Sequence, residues 1–438
     1  MTRLWYALLW LAAAPLALAR LAWRSRRQPG YLAALGERFG SYPAAVAAPR
    51  IWLHAVSVGE TRAAAPIVAA LARRHPRHRI LITHMTPTGR ATGVELFGDR
   101  VERAWLPYDM SFATRRFLAH YRPQLGIVLE TEIWPRLLEE CARARVPVVL
   151  ANARLSERSA RRYARFPALT RWALGNLAGI AAQSAADAQR FRDLGAGGVE
   201  ITGNVKFDLA PEPEIVARGA EFRSRFGAGR TIWVAGSTRE GEEAGLLEAF
   251  SAMGAPESAL LVLVPRHPHR FEEVAALASR QGFAVARRSG AGPVPPTVRV
   301  LVGDSMGEMP AYYAAADVVI MGGSLLPYGS QNLIEACALA KPVIVGPHTY
   351  NFEEAAECAI HAGGAMRVRD AGEALAAAAE LARDAERRER MGESARTFVA
   401  VHRGAVDRLM AWLESRIPRE GLSSPGIEQT FPSAPARD

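Results

Sequence analysis

The sequence predicts an α/β protein built from two similar halves, each a parallel sheet covered by helices, with a cleft between them and an apolar anchor helix in front. Three observations predict it. Short apolar runs alternate with helical patterns along most of the 438 residues, too long a chain for one ordinary core. The break Leu209-Ala210-Pro211-Glu212-Pro213 divides this alternation in two. Finally, the run from Leu4 to Ala19 carries no charge.

The anchor comes first, over residues 1–27. Its 16 uncharged residues would span roughly 24 Å as a helix, short of a hydrocarbon core about 30 Å thick. Trp5, Tyr6, Trp10 and Trp23 favour a membrane–water interface. Ala17-Leu18-Ala19 resembles a signal-peptidase site, but Arg20, Arg24, Arg26 and Arg27 follow the apolar run while only Arg3 precedes it. That asymmetry keeps the bulk of the chain cytoplasmic and argues for an uncleaved anchor.

The first domain is expected over residues 28–208. Strand patterns occur at 51–56, 80–83, 125–129 and 146–151, and a helix at 61–74. Residues 209–230 read as the connection. The second domain, 231–417, restarts with strands at 231–235, 259–264, 298–302, 318–321 and 342–345. The tail, 418–438, is rich in Pro, Ser and Gly and reads as disordered. Ligands of such sheets sit beyond the carboxyl ends of the strands.

A net charge of +10 and a pI near 10.0 imply an anionic partner: nucleic acid, a lipid surface or an acidic substrate. Only Lys206 and Lys341 are lysine; every other cationic side chain of this Arg-rich sequence is arginine. A retained lysine marks a place where a compact ammonium is needed. Cys141, Cys337 and Cys358 are few and widely spaced, which fits reduced thiols and neither a disulfide framework nor a thiolate metal site.

Polar, glycine-permitted loops cluster at strand ends. In Ser57-Val58-Gly59-Glu60 a carboxylate sits where a strand gives way to a helix, whose amino end favours the ionised form. Glu60 could take a proton from a hydroxyl nucleophile; a stabilising first-turn glutamate is the plainer reading. Glu130-Thr131-Glu132-Ile133-Trp134-Pro135 repeats the arrangement, with Glu130 leaving a buried strand and Glu132 and Trp134 able simply to pack the turn. Gly203-Asn204-Val205-Lys206-Phe207-Asp208 places the first lysine beside the interdomain break.

In the second half, Pro265-Arg266-His267-Pro268 and Gly303-Asp304-Ser305-Met306-Gly307-Glu308 end successive strands. The run Gly322-Gly323-Ser324-Leu325-Leu326-Pro327-Tyr328-Gly329-Ser330-Gln331-Asn332-Leu333-Ile334-Glu335 ends the next. There, Ser330, Gln331 and Asn332 offer cap chemistry to a helix over 333–340, and the loop N–H groups suit a phosphate. Glu335 could reach past that phosphate to ribose hydroxyls. Taken together the three loops indicate a nucleotide site. No GxxxxGK[ST], HExxH, CxxC or Asp-x-Asp pattern occurs, so nothing supports a metal-held diphosphate. Between residues 154 and 171, Arg154, Arg158, Arg161, Arg162, Arg165 and Arg171 face Glu157 alone, with Phe166 interleaved. Such a stretch fits anionic lipid headgroups or a solvated face.

In this order and spacing, these motifs, with Gly346-Pro347-His348-Thr349-Tyr350-Asn351-Phe352, resemble the bacterial Kdo (3-deoxy-D-manno-octulosonic acid) transferases of lipopolysaccharide assembly, from the anchor to about residue 415. The resemblance implies a GT-B-type glycosyltransferase with two Rossmann-like domains, tethered to the cytoplasmic face of the inner membrane. It would transfer Kdo from CMP-Kdo to a lipid A precursor with inversion, with no metal at the transfer site, no other cofactor and no nucleic-acid partner. By similarity, Glu60 is the general base, and Glu130 and Lys206 stabilise the transition state. Arg266, His267, Met306, Gly307, Glu308, Asn332, Leu333, Ile334 and Glu335 would hold CMP. One departure stands out: many relatives are expected to have Gly-Gly-His-Asn where this chain has Gly329-Ser330-Gln331-Asn332.

Overall fold

A computed structural model describes residues 2–26, 28–43, 48–208, 213–254, 256 and 258–417. The chain divides into two compact units, one made of residues 1–205 and 404–438 and the other of residues 206–403. The 418–438 tail and residues 209–212 of the break lie outside the described residues.

The first unit opens with the helix Thr2–Ser25. Its sheet comprises β1 (Arg50–His54), β2 (Arg79–His84), β3 (Glu102–Trp105), β4 (Pro123–Leu129), β5 (Val148–Ala153), β6 (Gly179–Ala182) and β7 (Val199–Ile201). All pairings are parallel, in the order β3-β2-β1-β4-β5-β6-β7. Alternate residues serve opposite faces, as a period of two requires. Ile51, Leu53, Ile80 and Ile82 enter one apolar layer, while Trp52, Leu81, Val128 and Leu150 enter the other. Because β1 is flanked by β2 and β4, the chain reverses its direction of travel between β1 and β4. Loops leaving those two strands therefore diverge and open a crevice at their carboxyl ends.

The second unit repeats the plan with β8 (Thr231–Thr238), β9 (Ala259–Pro265), β10 (Val285–Arg287), β11 (Val300–Val302), β12 (Val318–Met321), β13 (Val343–Val345) and β14 (Ala365–Arg367). The order is β10-β11-β9-β8-β12-β13-β14, again parallel, with the reversal between β8 and β12.

Two boundaries differ from the expected ones. The helix Pro213–Gly227 is not a connector. Its Phe222 and Phe226 are buried in the second core, and Gly219 lies so close to Ala314 of the helix Met309–Ala315 that a Cβ would come within 2.3 Å of Ala314 Cβ. The helix Ala405–Glu414, expected in the second domain, belongs to the first. Leu409, Met410, Trp412 and Leu413 cover one face of the first sheet, and Arg74 pairs with Glu414 at 2.7 Å and Asp407 at 3.0 Å. An apolar helical stripe fixes that a helix will be buried but not which sheet will bury it.

Candidate active site

Glu60 lies in the first turn of the helix Val58–Arg74, directly after β1. Ser57 caps this helix, and its hydroxyl both accepts from the Glu60 N–H at 3.4 Å and donates to Glu60 Oε1 at 2.8 Å. The Val56 N–H donates to Oε2 at 2.8 Å. This locks the carboxylate in one rotamer at the β1–β4 reversal. Burial is the dominant influence and pushes its pKa up to about 7; the negative charges of Glu130 and Glu132 add to the rise, against the two hydrogen bonds. The ionised group expected from the helix terminus is therefore replaced by one that titrates near neutrality, because desolvation outweighs the dipole.

The carboxylates after β4 complete this corner. Glu130 has φ 58, a left-handed conformation unusual for a residue other than glycine, and its N–H donates to the Ala151 carbonyl at 3.1 Å. Glu132 accepts from Trp134 Nε1 at 3.1 Å, and its pKa is raised by burial and by Glu130. Glu132 and Trp134 pack the turn before the helix Pro135–Arg143, and Glu130 acts electrostatically on Glu60.

Lys206 falls at the division between the units, inside the short helical turn Val205–Asp208, with Nζ 5.4 Å from the ring centroid of Phe352 in the loop after β13. Asn152 fixes the start of this turn. Buried and at φ 49 in β5, it accepts the Val205 N–H on Oδ1 at 3.1 Å. The sequence analysis did not single out Asn152; a polar side chain inside Val148-Val149-Leu150-Ala151-Asn152-Ala153 was the available signal.

In the second unit, every candidate nucleotide-binding residue lies on the carboxyl edge of the sheet. Arg266 and His267 follow β9, Met306, Gly307 and Glu308 follow β11, and Asn332, Leu333, Ile334 and Glu335 follow β12. The Arg266 N–H donates to the Thr238 carbonyl at 3.0 Å, which ties the β9 loop to the β8 loop. Burial, followed by the charges of Arg239, Arg266, His269 and Arg270, holds the His267 imidazole below its ordinary pKa. Arg239 also escaped the sequence analysis. Its guanidinium stacks over the Tyr328 ring at 4.6 Å and is bonded to no carboxylate among the described residues. A cationic group placed in this way, beside Arg266 and His267, is suited to an anion.

The glycine-rich loop after β12 departs from expectation. Three of its N–H groups, those of Gly323, Leu325 and Leu326, are not open to a phosphate, because Glu242, at the amino end of the helix Glu242–Ala252, already occupies them. That carboxylate accepts from Gly323 at 2.7 Å, Leu325 at 3.0 Å, Leu326 at 3.4 Å and Arg239 at 2.8 Å. Gly322 permits the close approach involved, since a Cβ there would lie 2.5 Å from the Ser237 carbonyl. The following helix is shorter than expected, Ile334–Ala338, its N-cap position is Leu333, and of the three proposed cap residues only Asn332 bonds to its first turn. Asn332 Oδ1 accepts the Ile334 N–H at 3.2 Å, and Nδ2 donates to Glu335 at 3.0 Å. Ser330, where the resemblance expects glycine, has φ 71, the backbone reason for glycine there. Arg288 at 2.9 Å and Arg218 at 3.4 Å both engage Glu308 Oε1, and its Oε2 is buried without a hydrogen-bond partner among the described residues.

A family model for 3-deoxy-D-manno-octulosonic-acid transferase (kdotransferase) matches residues 33–209, and one for glycosyl transferases group 1 matches residues 291–398. The 3-deoxy-D-manno-octulosonic acid transferase of Bordetella pertussis is 46% identical over 418 residues, covering 91% of this chain and 96% of that protein. The chain belongs to the Kdo transferase family. It is a glycosyltransferase. The Haemophilus influenzae 3-deoxy-D-manno-octulosonic acid transferase is 38% identical, over 96% of this chain and 100% of that protein. Among solved structures, Anabaena HepE in complex with UDP superposes with a TM-score of 0.56 at 15% identity, covering 84% of this chain and 99% of that one. The UDP-GlcNAc 2-epimerase of Neisseria meningitidis gives 0.57 at 15% identity, covering 84% and 100%. At such identities they show the fold alone: two parallel-sheet α/β units, as in GT-B glycosyltransferases.

Proposed function

We propose that this Kdo transferase moves Kdo from CMP-Kdo to lipid IVA, the lipid A precursor, at the cytoplasmic face of the inner membrane and without a metal at the transfer site. The observation that carries the reading is Glu60: a carboxylate fixed by Ser57 and Val56, set beside Glu130 and titrating near pH 7. A base for a sugar hydroxyl works best with its pKa close to the operating pH.

In the proposed step the acceptor hydroxyl attacks the anomeric carbon of Kdo and passes its proton to Glu60. The bond from that carbon to the phosphate oxygen breaks, CMP departs with the electron pair, and configuration inverts. Glu130 stabilises positive charge growing on the sugar ring, and Lys206 the negative charge near the leaving group. Arg266, His267, Met306, Gly307, Glu308, Asn332, Leu333, Ile334 and Glu335 hold CMP. Arg239 joins them as an anion contact.

The test is direct. Purified chain in detergent, given CMP-Kdo and lipid IVA, is expected to raise the acceptor mass by whole Kdo residues, equally with and without EDTA. Transfer from a UDP-sugar that stops with EDTA, or no mass change, would overturn the reading.

A further inference from the structure

Glu60 is tied to one peptide unit, and that unit is held from both sides. The Val56 N–H donates to Glu60 Oε2 at 2.8 Å. The carbonyl of the same unit belongs to Ala55 and points the opposite way, as a trans peptide requires. Nδ1 of His84, the last residue of β2, meets that carbonyl at 2.9 Å. Burial pushes the His84 pKa down to about 4, against the Ala55 bond, and the charges of Arg90 and Arg103 add to the fall. His54 of β1 also faces it, and is itself driven down to about 3 by burial. The His84 ring is therefore neutral at working pH. Since a carbonyl only accepts, Nδ1 carries the single proton and Nε2 is bare. Nε2 is buried without a hydrogen-bond partner among the described residues, and a Cβ on Gly93 would lie 2.9 Å from it. The ring thus abuts the helix Pro87–Phe97 with its one donor aimed at Ala55.

The same stretch of chain fixes the next peptide. Thr86 caps that helix, accepting the Gly89 N–H at 3.2 Å, and its hydroxyl donates to the Val56 carbonyl at 2.8 Å. Gly89 permits the approach, because a Cβ there would lie 2.8 Å from that oxygen. Residues 84–89 therefore grip both peptides that flank the Val56 Cα.

We propose that His84 is a positioning residue for transfer: through the Ala55–Val56 peptide it aims the Val56 N–H at Glu60 and fixes the place from which that carboxylate meets the acceptor hydroxyl. A donor on the carbonyl polarises the whole amide, so its N–H also holds an anion more firmly. His84 is buried and acts through this peptide rather than on the reacting atoms. The proposal rests on Glu60 as the base. The other acids facing Glu60 are Glu130 and Glu132, on the loop after β4, and both stay in place in the variants that test it.

His84→Leu keeps the outline of the side chain and loses the donor, whereas His84→Asn returns an N–H to the position of Nδ1. Because the ring is neutral, the Leu variant loses a hydrogen bond and no charge. A weaker bond to the ionised carboxylate favours its protonated form. With CMP-Kdo and lipid IVA in detergent, the midpoint of the kcat/KM profile is expected to rise from about 7 by about one pH unit. Transfer at neutral pH should fall about fivefold and recover at alkaline pH, and His84→Asn should restore the wild-type profile. In a Glu60→Gln background, His84→Leu should change the residual transfer by less than about twofold. An unmoved midpoint, or an equal loss in both backgrounds, overturns the proposal and leaves Glu60 as the base. Turnover retained by Glu60→Gln alone removes the reading beneath it, and the proposal with it. Should His84→Leu not fold, the imidazole ¹⁵N shifts of the wild type decide: a protonated Nδ1 and a bare Nε2 are expected, and the opposite tautomer refutes the proposal.

Discussion

Replacing Glu60 by Gln should abolish transfer and, at the same time, stabilise the first unit. The side chain keeps its shape but can no longer take a proton, so the turnover number should fall about 10²–10⁴-fold, the usual contribution of a positioned base. The stability effect follows from the same burial. The folded carboxyl titrates at about 7 against an ordinary 4.5, a difference worth about 3 kcal/mol. Between those two pH values the folded state holds a proton that the unfolded chain has released. Stability contributed by the protonated group is thus complete below about 4.5 and lost as pH rises through about 7. The Gln variant should therefore be more stable than wild type at pH 8 by at most about 3 kcal/mol, and no different near pH 4. For a unit of this size that is about 2–4 °C per kcal/mol. Thermal unfolding at the two pH values measures it, alongside mass analysis of the acceptor. In the wild type, kcat/KM should fall about tenfold per pH unit below 7 and level off above it. Retained turnover in the variant, or a flat profile between pH 5.5 and 8, would refute the assignment of Glu60 as base.

Two further outcomes are expected. Arg239→Gln should raise KM for CMP-Kdo by about tenfold or more, the cost of a lost charge-assisted hydrogen bond; weaker inhibition by free CMP would assign the contact to the phosphate, and unchanged CMP inhibition to the Kdo carboxylate. Asn152→Ala should cost about 1–3 kcal/mol of stability by leaving the Val205 N–H without its acceptor and should lower kcat more than KM if that turn positions Lys206; hydrogen exchange at the Val205 amide would show the loosening.

Most of the fold was legible in the sequence because strands buried on both faces must be apolar runs; β1, β8, β9 and β12 are such runs. The strands it did not show, β3, β6, β10 and β14, are short, and β3, β10 and β14 are sheet edges, where burial no longer demands continuous hydrophobicity. Glu60, Glu130 and Lys206 could be picked out because polar residues stand at the ends of apolar strands or beside the break. Arg239 could not, since an arginine in an Arg-rich chain carries no local signal, and Asn152 offered only a polar side chain inside an apolar strand.

The amino-acid order alone determined two α/β halves, the strand-end loops that carry the candidate site residues, and the resemblance to Kdo transferases, all of which rest on neighbours close in sequence. Only the tertiary structure decided that Glu60 titrates near neutrality, because desolvation depends on what folds over the group. It alone showed that Glu242 accepts the Gly323 N–H of the glycine-rich loop from 81 residues away, and that the helix Ala405–Glu414 returns to the first sheet. It also showed that the first helix is fastened along its length to the unit behind it. Each of these depends on contacts between segments far apart in the chain, and no local pattern encodes which distant surface an element will meet.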